Sequence, residues 1–354
     1  MQDIHNDNIQ ALQAMIADAR KISIVTHQKP DGDAMGSSIA LYHYLRMCGK
    51  DSVRIILNDR FPGYLDFLAS DIPQGGILFF QEMQDTAEIL LRDSDLIFCL
   101  DFNAFHRTDK MENALTDSKA RKILIDHHLN PDRNVFDLTF SETEISSASE
   151  LLYQILIHTS HIRMDATLLP PQSAIALMTG MTTDTNNFAN STYPSTFLMA
   201  SDLLAVGVDR DAILSQLYNQ YGENRLRVMG YMMKDLLTIT QDGVAYIVLN
   251  KADQERYNVA EGDTEGFVNM PLSIGKVRMS ILAKEDEGKI RISIRSRKGT
   301  SANGCAKTYF NGGGHENAAG GRLMIPEDVP GVEAVAEYIE KHTHIYLDQR
   351  NEKN

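Results

Sequence analysis

The stretch ISIVTHQKPDGDAMGS, residues 22–37, determines the fold that the sequence predicts. Its apolar beginning is typical of a strand that is buried on both faces of a parallel sheet. A short turn then leads into a helix that we expect to begin near Ala34. His27, Asp31 and Asp33 would therefore share one tight loop at the carboxyl end of a strand, where open α/β sheets bind their ligands.

Two later strands of the predicted sheet end in the same way. Asp101 follows the apolar run DLIFCL, whereas Asp126, His127 and His128 follow the run KILI. A further carboxylate, Asp184, lies in the segment GMTTDT. Because the carboxyl ends of parallel strands meet at one edge of a sheet, these groups predict a site for two divalent cations. Oxygen and imidazole ligands suit Mn²⁺, Mg²⁺ or Co²⁺, and the imidazoles favour Mn²⁺ or Co²⁺ over Mg²⁺.

The first loop has a second explanation when it is considered alone. Asp33 could cap the amino terminus of the helix, and Asp31 could be an ordinary turn residue. Asp101 alone could be a solvated carboxylate at a strand end, and a lone histidine is usually structural. Three strand ends that all carry aspartate or histidine favour the metal site over these separate explanations.

The order of predicted elements indicates an α/β protein with two domains. Strands alternate with helices in the first part, which predicts a doubly wound, mostly parallel sheet. From residue 147 to about residue 237 the pattern is mostly helical, and two hairpins with turns at Asp242-Gly243 and Glu287-Gly288 follow it. We predict domains at 1–236 and 237–354, with an active-site cleft between them. The predicted elements are helices 9–19, 35–48 and 332–341 and strands 21–26, 52–57, 95–100 and 122–125.

Composition excludes several classes of protein. The chain has 354 residues, of which 43% are hydrophobic and 23% charged, as in folded globular proteins. No apolar stretch approaches the roughly 20 residues that a membrane-spanning helix needs. Three cysteines without metal-type spacing indicate a reduced, cytoplasmic protein. The net charge of −14 argues against a surface for long duplex nucleic acid, although residues 276–307 gather nine basic and three acidic side chains.

Five motifs in this order resemble the DHH phosphoesterase superfamily. The pattern H-x3-D-x-D-x2-G-S begins at His27, and Asp101, the Asp126-His127-His128 triplet and the G-x3-D-T pattern around Asp184 follow it. The glycine-rich segment GGGHENAAGG, residues 312–321, resembles the signature of the DHH-associated C-terminal domain. The resemblance covers nearly the whole chain, and no motif position departs from the pattern.

The resemblance implies specific roles for these residues. His128 would face the scissile phosphate, and Asp126 would orient a histidine as an outer partner instead of binding metal. Asp101 would be catalytic by bridging two cations. The implied ligands are His27 and Asp31 for one metal, Asp33, His127 and Asp184 for the other, and Asp101 for both.

The second domain would provide the substrate contacts. If the strand IRISIR alternates regularly, Arg291, Arg295 and Arg297 share one face, which is either an ordinary charged surface or a phosphate-binding surface. We expect Arg295 to be the phosphate anchor. The resemblance adds backbone and side-chain contacts from the glycine-rich segment, at Gly313, Gly314 and His315.

The resemblance is closest to members that degrade very short oligoribonucleotides to mononucleotides and convert pAp (3′-phosphoadenosine 5′-phosphate) to AMP. The absence of Trp and the aromatic content of 7% argue against an extended binding groove for long single strands. Two alternatives stay open, a phosphodiesterase for linear or cyclic dinucleotides and a catalytically inactive nucleotide-binding module. The sequence leaves cleavage polarity and oligomeric state undetermined, with a homodimer as one option.

Overall fold

The computed structural model describes residues 5–219, 222–260 and 262–351. The chain forms two compact units, Met1–Gln220 and Tyr221–Asn354. The predicted α/β organisation, with a parallel sheet followed by a smaller α/β domain, is confirmed. The cleft predicted between the domains stays a prediction.

The first unit is built on six strands that all pair in parallel. Their order in the sheet is β3-β2-β1-β4-β5-β6, so the chain reverses its direction of winding between β1 and β4. Such a switch point opens a crevice beyond the carboxyl ends of the two strands. The strands are β1 Lys21–Thr26, β2 Ser52–Leu57, β3 Ile77–Phe79, β4 Leu96–Leu100, β5 Arg121–Asp126 and β6 Leu138–Ser141.

Helices cover both faces of this sheet. Successive strand residues point to opposite faces, so that Ile24 belongs to one buried apolar cluster and Val25 to the other. The larger cluster includes residues of α1, α2 and α6 to α9, and the smaller includes residues of α4 and α5. The helices are α1 Asn6–Asp18, α2 Gly32–Met47, α3 Asp66–Ala69, α4 Gln84–Asp93, α5 Glu112–Asp117, α6 Ala148–Ile157, α7 Pro171–Asp184, α8 Pro194–Ala205 and α9 Arg210–Tyr218.

The second unit contains a mixed six-stranded sheet in the order β11-β12-β10-β9-β8-β7. Only β8 and β9 are parallel, and both predicted hairpins are present as antiparallel pairs. One apolar cluster packs on each face of this sheet. The elements are α10 Glu223–Tyr231, β7 Thr238–Ile239, β8 Val244–Leu249, α11 Lys251–Arg256, β9 Met279–Asp286, β10 Lys289–Ser296, α12 Ala302–Tyr309, β11 Gly313–His315, β12 Ala318–Met324 and α13 Val335–Asn351.

The domain boundary that the sequence predicts and the boundary between the two compact units lie about 16 residues apart. We predict the domain boundary between residues 236 and 237, whereas the compact units divide between residues 220 and 221. The reason is local packing, because Val228 and Met232 are buried in the same apolar cluster as Ile247 of β8. Helix α10 therefore packs with the second sheet.

Three local features differ from the sequence-based expectations. Helix α2 begins at Gly32, before Ala34, because the Asp31 side chain caps it by accepting hydrogen bonds from the amides of Asp33 and Ala34. Helix α13 extends to Asn351, beyond the predicted end at residue 341. Part of the glycine-rich segment is strand β11.

No helix within the described residues combines the length and the apolar character that crossing a bilayer requires. Cys48, Cys99 and Cys305 are all free thiols, and the last two are buried.

Candidate metal centre

The sheet brings the three predicted strand ends together. His27 follows β1, and Asp101 follows β4. Asp126 is the last residue of β5, and His127 and His128 follow it. Since β1, β4 and β5 are consecutive in the sheet, their carboxyl ends lie side by side at the switch point. The fourth predicted group, Asp184, is the last residue of α7. All the residues that the sequence predicts as metal ligands are thus brought to one edge of the sheet.

The Asp101 carboxylate lies at the middle of this group. Its Oδ2 is 3.4 Å from Nε2 of His27, and its Oδ1 is 3.4 Å from Nε2 of His127. Asp101 is 2% exposed, and its Oδ1 has no hydrogen-bond partner in the part of the chain that the structure describes. Its backbone has φ +62°, a left-handed conformation that aspartate adopts more readily than most residues. A buried carboxylate oxygen without a hydrogen bond needs another positive partner, as a cation would be.

One cluster of candidate ligands consists of His27, Asp31 and Asp101, whose ligand atoms lie within 4.8 Å of one another. The Nε2 of His27 is 3.8 Å from Oδ1 of Asp31. The other ring nitrogen, Nδ1, is 2.8 Å from the carbonyl oxygen of Gln28. A hydrogen bond donated by Nδ1 would fix the ring with Nε2 towards the carboxylates, which is the usual arrangement of a metal-binding histidine.

A second cluster consists of Asp33, His127 and Asp184, again within 4.8 Å. The Nε2 of His127 lies 3.5 Å from Asp184 and 3.9 Å from Asp33. Because Asp101 contacts a histidine of each cluster, the geometry agrees with the bridging position that the family resemblance implies for it. Nitrogen and carboxylate donors in this number fit two divalent cations.

Asp33 is held by the beginning of another helix. Its Oδ2 accepts a hydrogen bond of 2.7 Å from the amide of Ala148, and its Oδ1 accepts one of 2.9 Å from the amide of Ser149. These are the first two residues of α6, where amides have no partner within the helix. Sequence reasoning missed this contact, although Ser147 and Glu150 have the spacing of a capping box, which marks the start of a helix.

A close crossing of two helices places Asp33 and Asp184 in the same cluster. A Cβ atom on Gly36 of α2 would lie 2.6 Å from the carbonyl oxygen of Ala176 in α7, and one on Gly180 would lie 2.0 Å from Oγ of Ser149. Neither position can hold a larger side chain without movement of the backbone. The glycine of the first motif therefore allows α7, which ends at Asp184, to pack directly on α2.

His128 lies beside the two clusters in a different environment. Its Nδ1 is 2.7 Å from Oδ1 of Asp126, which is completely buried. The same Nδ1 is 3.7 Å from Oδ1 of Asp101. The rings of His127 and His128 are 4.8 Å apart and tilted by 66°. Both histidines thus lie near Oδ1 of Asp101, and these three residues form a third group that could hold a metal ion. Asp126 orients only the second histidine.

The charges of the centre perturb one another strongly. Burial alone would lower the pKa of both His27 and His127. The hydrogen bond to Asp101 and the charges of the nearby aspartates together outweigh burial, and they raise the pKa of His27 to about 9 and that of His127 to about 10. Burial opposes the charged form of Asp101, but the two histidines hold its pKa well below the usual range. Burial and the charge of Asp101 raise the pKa of Asp33 to about 7, and burial raises that of Asp184. Positive charge is thus stabilised among these carboxylates, as a metal site requires.

The predicted substrate residues form a row on the second sheet. Arg295 of β10 pairs with Ala318 of β12, and Ala318 pairs on its other side with His315 of β11. Cross-strand partners project their side chains from the same face, and the small Ala318 separates the two larger ones. Burial lowers the pKa of the Arg295 guanidinium, which also donates a hydrogen bond to the carbonyl of Ile294. Gly313 and Gly314 lie on β11 in the same hairpin.

Arg297 does not continue this row. It lies just beyond the end of β10, where regular alternation stops. Its guanidinium donates hydrogen bonds to the carbonyl oxygens of Leu272, Ile274 and Gly275. The regular alternation that would place Arg297 on the same face as Arg295 therefore does not continue, and Arg297 instead ties down a neighbouring loop.

Comparison with known proteins identifies similar sequences over most of the chain. Residues 21–181 match the DHH family, N-terminal domain, and residues 229–341 match the DHHA1 domain. The chain is 30% identical to the bifunctional oligoribonuclease and PAP phosphatase NrnA of Thermus thermophilus, covering 85% of this chain and 84% of the relative. The protein of the same name from Bacillus subtilis is 25% identical, covering 84% and 87% respectively.

A solved structure resembles the complete chain. It is an exopolyphosphatase-related protein from Bacteroides fragilis, 36% identical, with a TM-score of 0.91 and coverage of 99% of both chains.

Proposed function

This chain is a phosphoesterase of the DHH family, and we propose that it hydrolyses very short RNA oligonucleotides to mononucleotides and pAp to AMP. The observation that carries the proposal is the position of Asp101 between His27 and His127, since one carboxylate can then serve two cations. The relatives named as bifunctional oligoribonucleases and PAP phosphatases support the choice of substrates.

We assign the two ligand clusters to a pair of divalent cations, with Mn²⁺ as the expected ion. The buried Oδ1 of Asp101, without a hydrogen bond among the described residues, fits this assignment. Two bound cations would activate a water molecule and neutralise the phosphate oxygens during an in-line displacement. The residues of this chain that would hold them are His27 and Asp31 on one side, Asp33, His127 and Asp184 on the other, and Asp101 between them.

His128 is the residue that we assign to the substrate phosphate. The short contact of its Nδ1 with Asp126 fixes the orientation of the ring. The ring can then hydrogen bond a phosphate oxygen or give a proton to the leaving oxygen. Asp126 is completely buried, so this orientation is held from inside the protein.

Arg295 and His315 are assigned to a phosphate of the substrate at some distance from the reacting one. They are separated in the row by Ala318, whose small side chain leaves room for a ligand between them. Arginine can bind a phosphate through two parallel hydrogen bonds, which a lysine cannot do. Substrates with a second phosphate group, such as pAp and 5′-phosphorylated dinucleotides, would offer a group for Arg295 to bind.

The experiment is a comparison of substrates under identical conditions with Mn²⁺. Purified protein is incubated with pAp, a cyclic dinucleotide, pyrophosphate and a series of end-labelled RNAs. The RNAs range from dinucleotides to strands longer than the roughly 4–16 nucleotides that a single-strand-binding groove covers. We expect rapid hydrolysis of the shortest RNAs and pAp and a steep decrease with length. Equal rates at all lengths, or activity only on the cyclic dinucleotide or pyrophosphate, would refute the proposal.

A further inference from the structure

Glu150 is a buried carboxylate that contacts no lysine, arginine or histidine among the residues that the structure describes. It lies in the first turn of α6 and has no exposed surface. Its Oε2 accepts hydrogen bonds from the amide and the hydroxyl of Ser146 and one of 2.6 Å from the hydroxyl of Thr196. Its Oε1 has no hydrogen-bond partner in the described part of the chain. Burying a carboxylate in this way is costly, and the hydrogen bonds to Oε2 offset part of that cost.

The contacts of Glu150 connect the starts of two helices. Ser146 precedes Ser147, the residue that caps α6 by accepting a hydrogen bond from the amide of Glu150. Thr196 is in the first turn of α8, and its hydroxyl oxygen accepts a hydrogen bond from the amide of Tyr193. A negative charge is favourable near helix amino termini, because their amides carry partial positive charge. Glu150 therefore joins the two helix starts through one carboxylate oxygen.

The same turn of α6 holds Asp33. The amides of Ala148 and Ser149, the two residues before Glu150, donate to both oxygens of the Asp33 carboxylate. Ser149 also packs against Gly180 of α7, the helix that ends at Asp184. A displacement of this turn would move Asp33 directly and Asp184 through α7.

We propose that Glu150 is a positioning residue for the metal-binding cluster of Asp33, His127 and Asp184. Its hydrogen bonds to Ser146 and Thr196 fix the start of α6, and the amides there orient the Asp33 carboxylate towards His127. The inference rests on the proposed function, because it assumes that this cluster holds a cation. It assigns Glu150 no contact with metal or substrate.

The test is the variant Glu150→Gln, which keeps the shape of the side chain and removes its charge. The contacts with Ser146 and Thr196 all end on one oxygen, and a neutral amide oxygen is a weaker acceptor than a carboxylate oxygen, so these contacts weaken. We expect wild-type protein to bind two Mn²⁺ ions, and the variant to bind one of them about 10–100-fold more weakly, as is usual when an outer partner of a metal ligand is lost. Calorimetry and electron paramagnetic resonance measure the two affinities, and excess Mn²⁺ should restore most of kcat.

Tyr153→Phe is the matched control. Tyr153 lies on the same helix, and its hydroxyl donates a 2.6 Å hydrogen bond to Asp202 of α8, the helix that also carries Thr196. The control therefore loses one α6–α8 hydrogen bond without touching the turn that holds Asp33. We expect it to lower the melting temperature and to leave both Mn²⁺ affinities unchanged.

A milder variant keeps the test decisive if Glu150→Gln does not fold. Thr196→Val removes one donor to Glu150 and preserves the charge and shape, so it should weaken the same Mn²⁺ affinity to a smaller extent. In metal-free protein, both variants should speed hydrogen exchange of the Ala148 and Ser149 amides, and Tyr153→Phe should not.

The possible failures are distinguishable. Wild-type protein that binds fewer than two Mn²⁺ ions would contradict the proposed metal centre itself. Two tightly bound Mn²⁺ ions in wild type, with unchanged affinities in Glu150→Gln and Thr196→Val, would overturn only the positioning role. An equal loss of Mn²⁺ affinity in Tyr153→Phe would also overturn it, since general loosening of α6 would then explain the effect.

Discussion

Nδ1 of His128 lies 2.7 Å from Oδ1 of Asp126, and the aspartate is completely buried. This contact separates His128 from its neighbour His127, whose Nε2 faces Asp33, Asp101 and Asp184. The two histidines of the triplet therefore differ in their contacts, which is the basis of the proposed division between a metal ligand and a substrate contact.

Replacing Asp126 by asparagine should therefore impair turnover more than metal binding. Asp126→Asn removes the carboxylate that orients the His128 ring, and we expect kcat to fall by about 10–100-fold with both Mn²⁺ affinities retained. His128→Ala should also lower kcat. Because the two residues act as a unit, the double variant should be little worse than His128→Ala alone. If the fold-loss of kcat in the double variant equals the product of the two single fold-losses, the two residues act independently and this prediction is contradicted.

The close packing of α2 against α7 predicts that substitution of Gly36 lowers both stability and Mn²⁺ affinity. In Gly36→Ala the new methyl group would meet the carbonyl of Ala176, so the helices must separate. Overpacking of this kind costs about 1–3 kcal/mol of unfolding free energy. Since α7 ends at Asp184, Mn²⁺ affinity should fall together with stability. Denaturant unfolding and Mn²⁺ titration measure the two quantities.

Gly230→Ala is the control for this prediction. Gly230 lies within α10, and no atom comes within 4 Å of the position that a Cβ would take. Alanine is favoured over glycine in a helix by up to about 1 kcal/mol, so this variant should be slightly more stable than wild type. A stable Gly36→Ala variant with normal Mn²⁺ binding would show that close helix packing does not position Asp184.

Arg295→Ala should distinguish a nucleotide anchor from a general surface charge. A hydrogen bond to a charged group contributes about 1.5–3 kcal/mol, so KM for pAp should rise by about 10–100-fold. KM for a simple aryl phosphate ester, which has no second phosphate, should change little. Arg297→Ala serves as the control, because the Arg297 guanidinium binds carbonyl groups of a loop. This variant should lower stability without raising KM for pAp more than KM for the aryl phosphate ester. Equal effects of Arg295→Ala on both substrates would refute the assignment.

Much of the first domain could be predicted because buried parallel strands have continuous apolar runs. Strands β1 and β2 begin and end at the predicted residues, and the loop residues at the strand ends meet as expected. The short edge strands Ile77–Phe79 and Leu138–Ser141 were not predicted, since three or four residues give little periodic signal.

Contacts distant in sequence could not be derived from local patterns. Asp33 accepts hydrogen bonds from Ala148 and Ser149, and only the packed fold brings these residues together. Strand β11 was not predicted within the glycine-rich segment, because glycine is rare in strands, but pairing with β12 outweighs that preference. The sequence does not mark the end of β10 at Ser296. It therefore could not show that the regular alternation stops before Arg297.

The central claim is that Asp101 serves two cations, and Mn²⁺ binding by Asp101→Asn tests it most directly. Asparagine tolerates the left-handed backbone at this position, so the variant should fold. Calorimetric titration should give two Mn²⁺ ions per chain for wild type. For the variant we expect weakened binding at both positions and a loss of pAp hydrolysis of about 1,000-fold, which corresponds to several kcal/mol of electrostatic stabilisation. Two tightly bound Mn²⁺ ions in the variant, together with near-normal hydrolysis, would contradict the account.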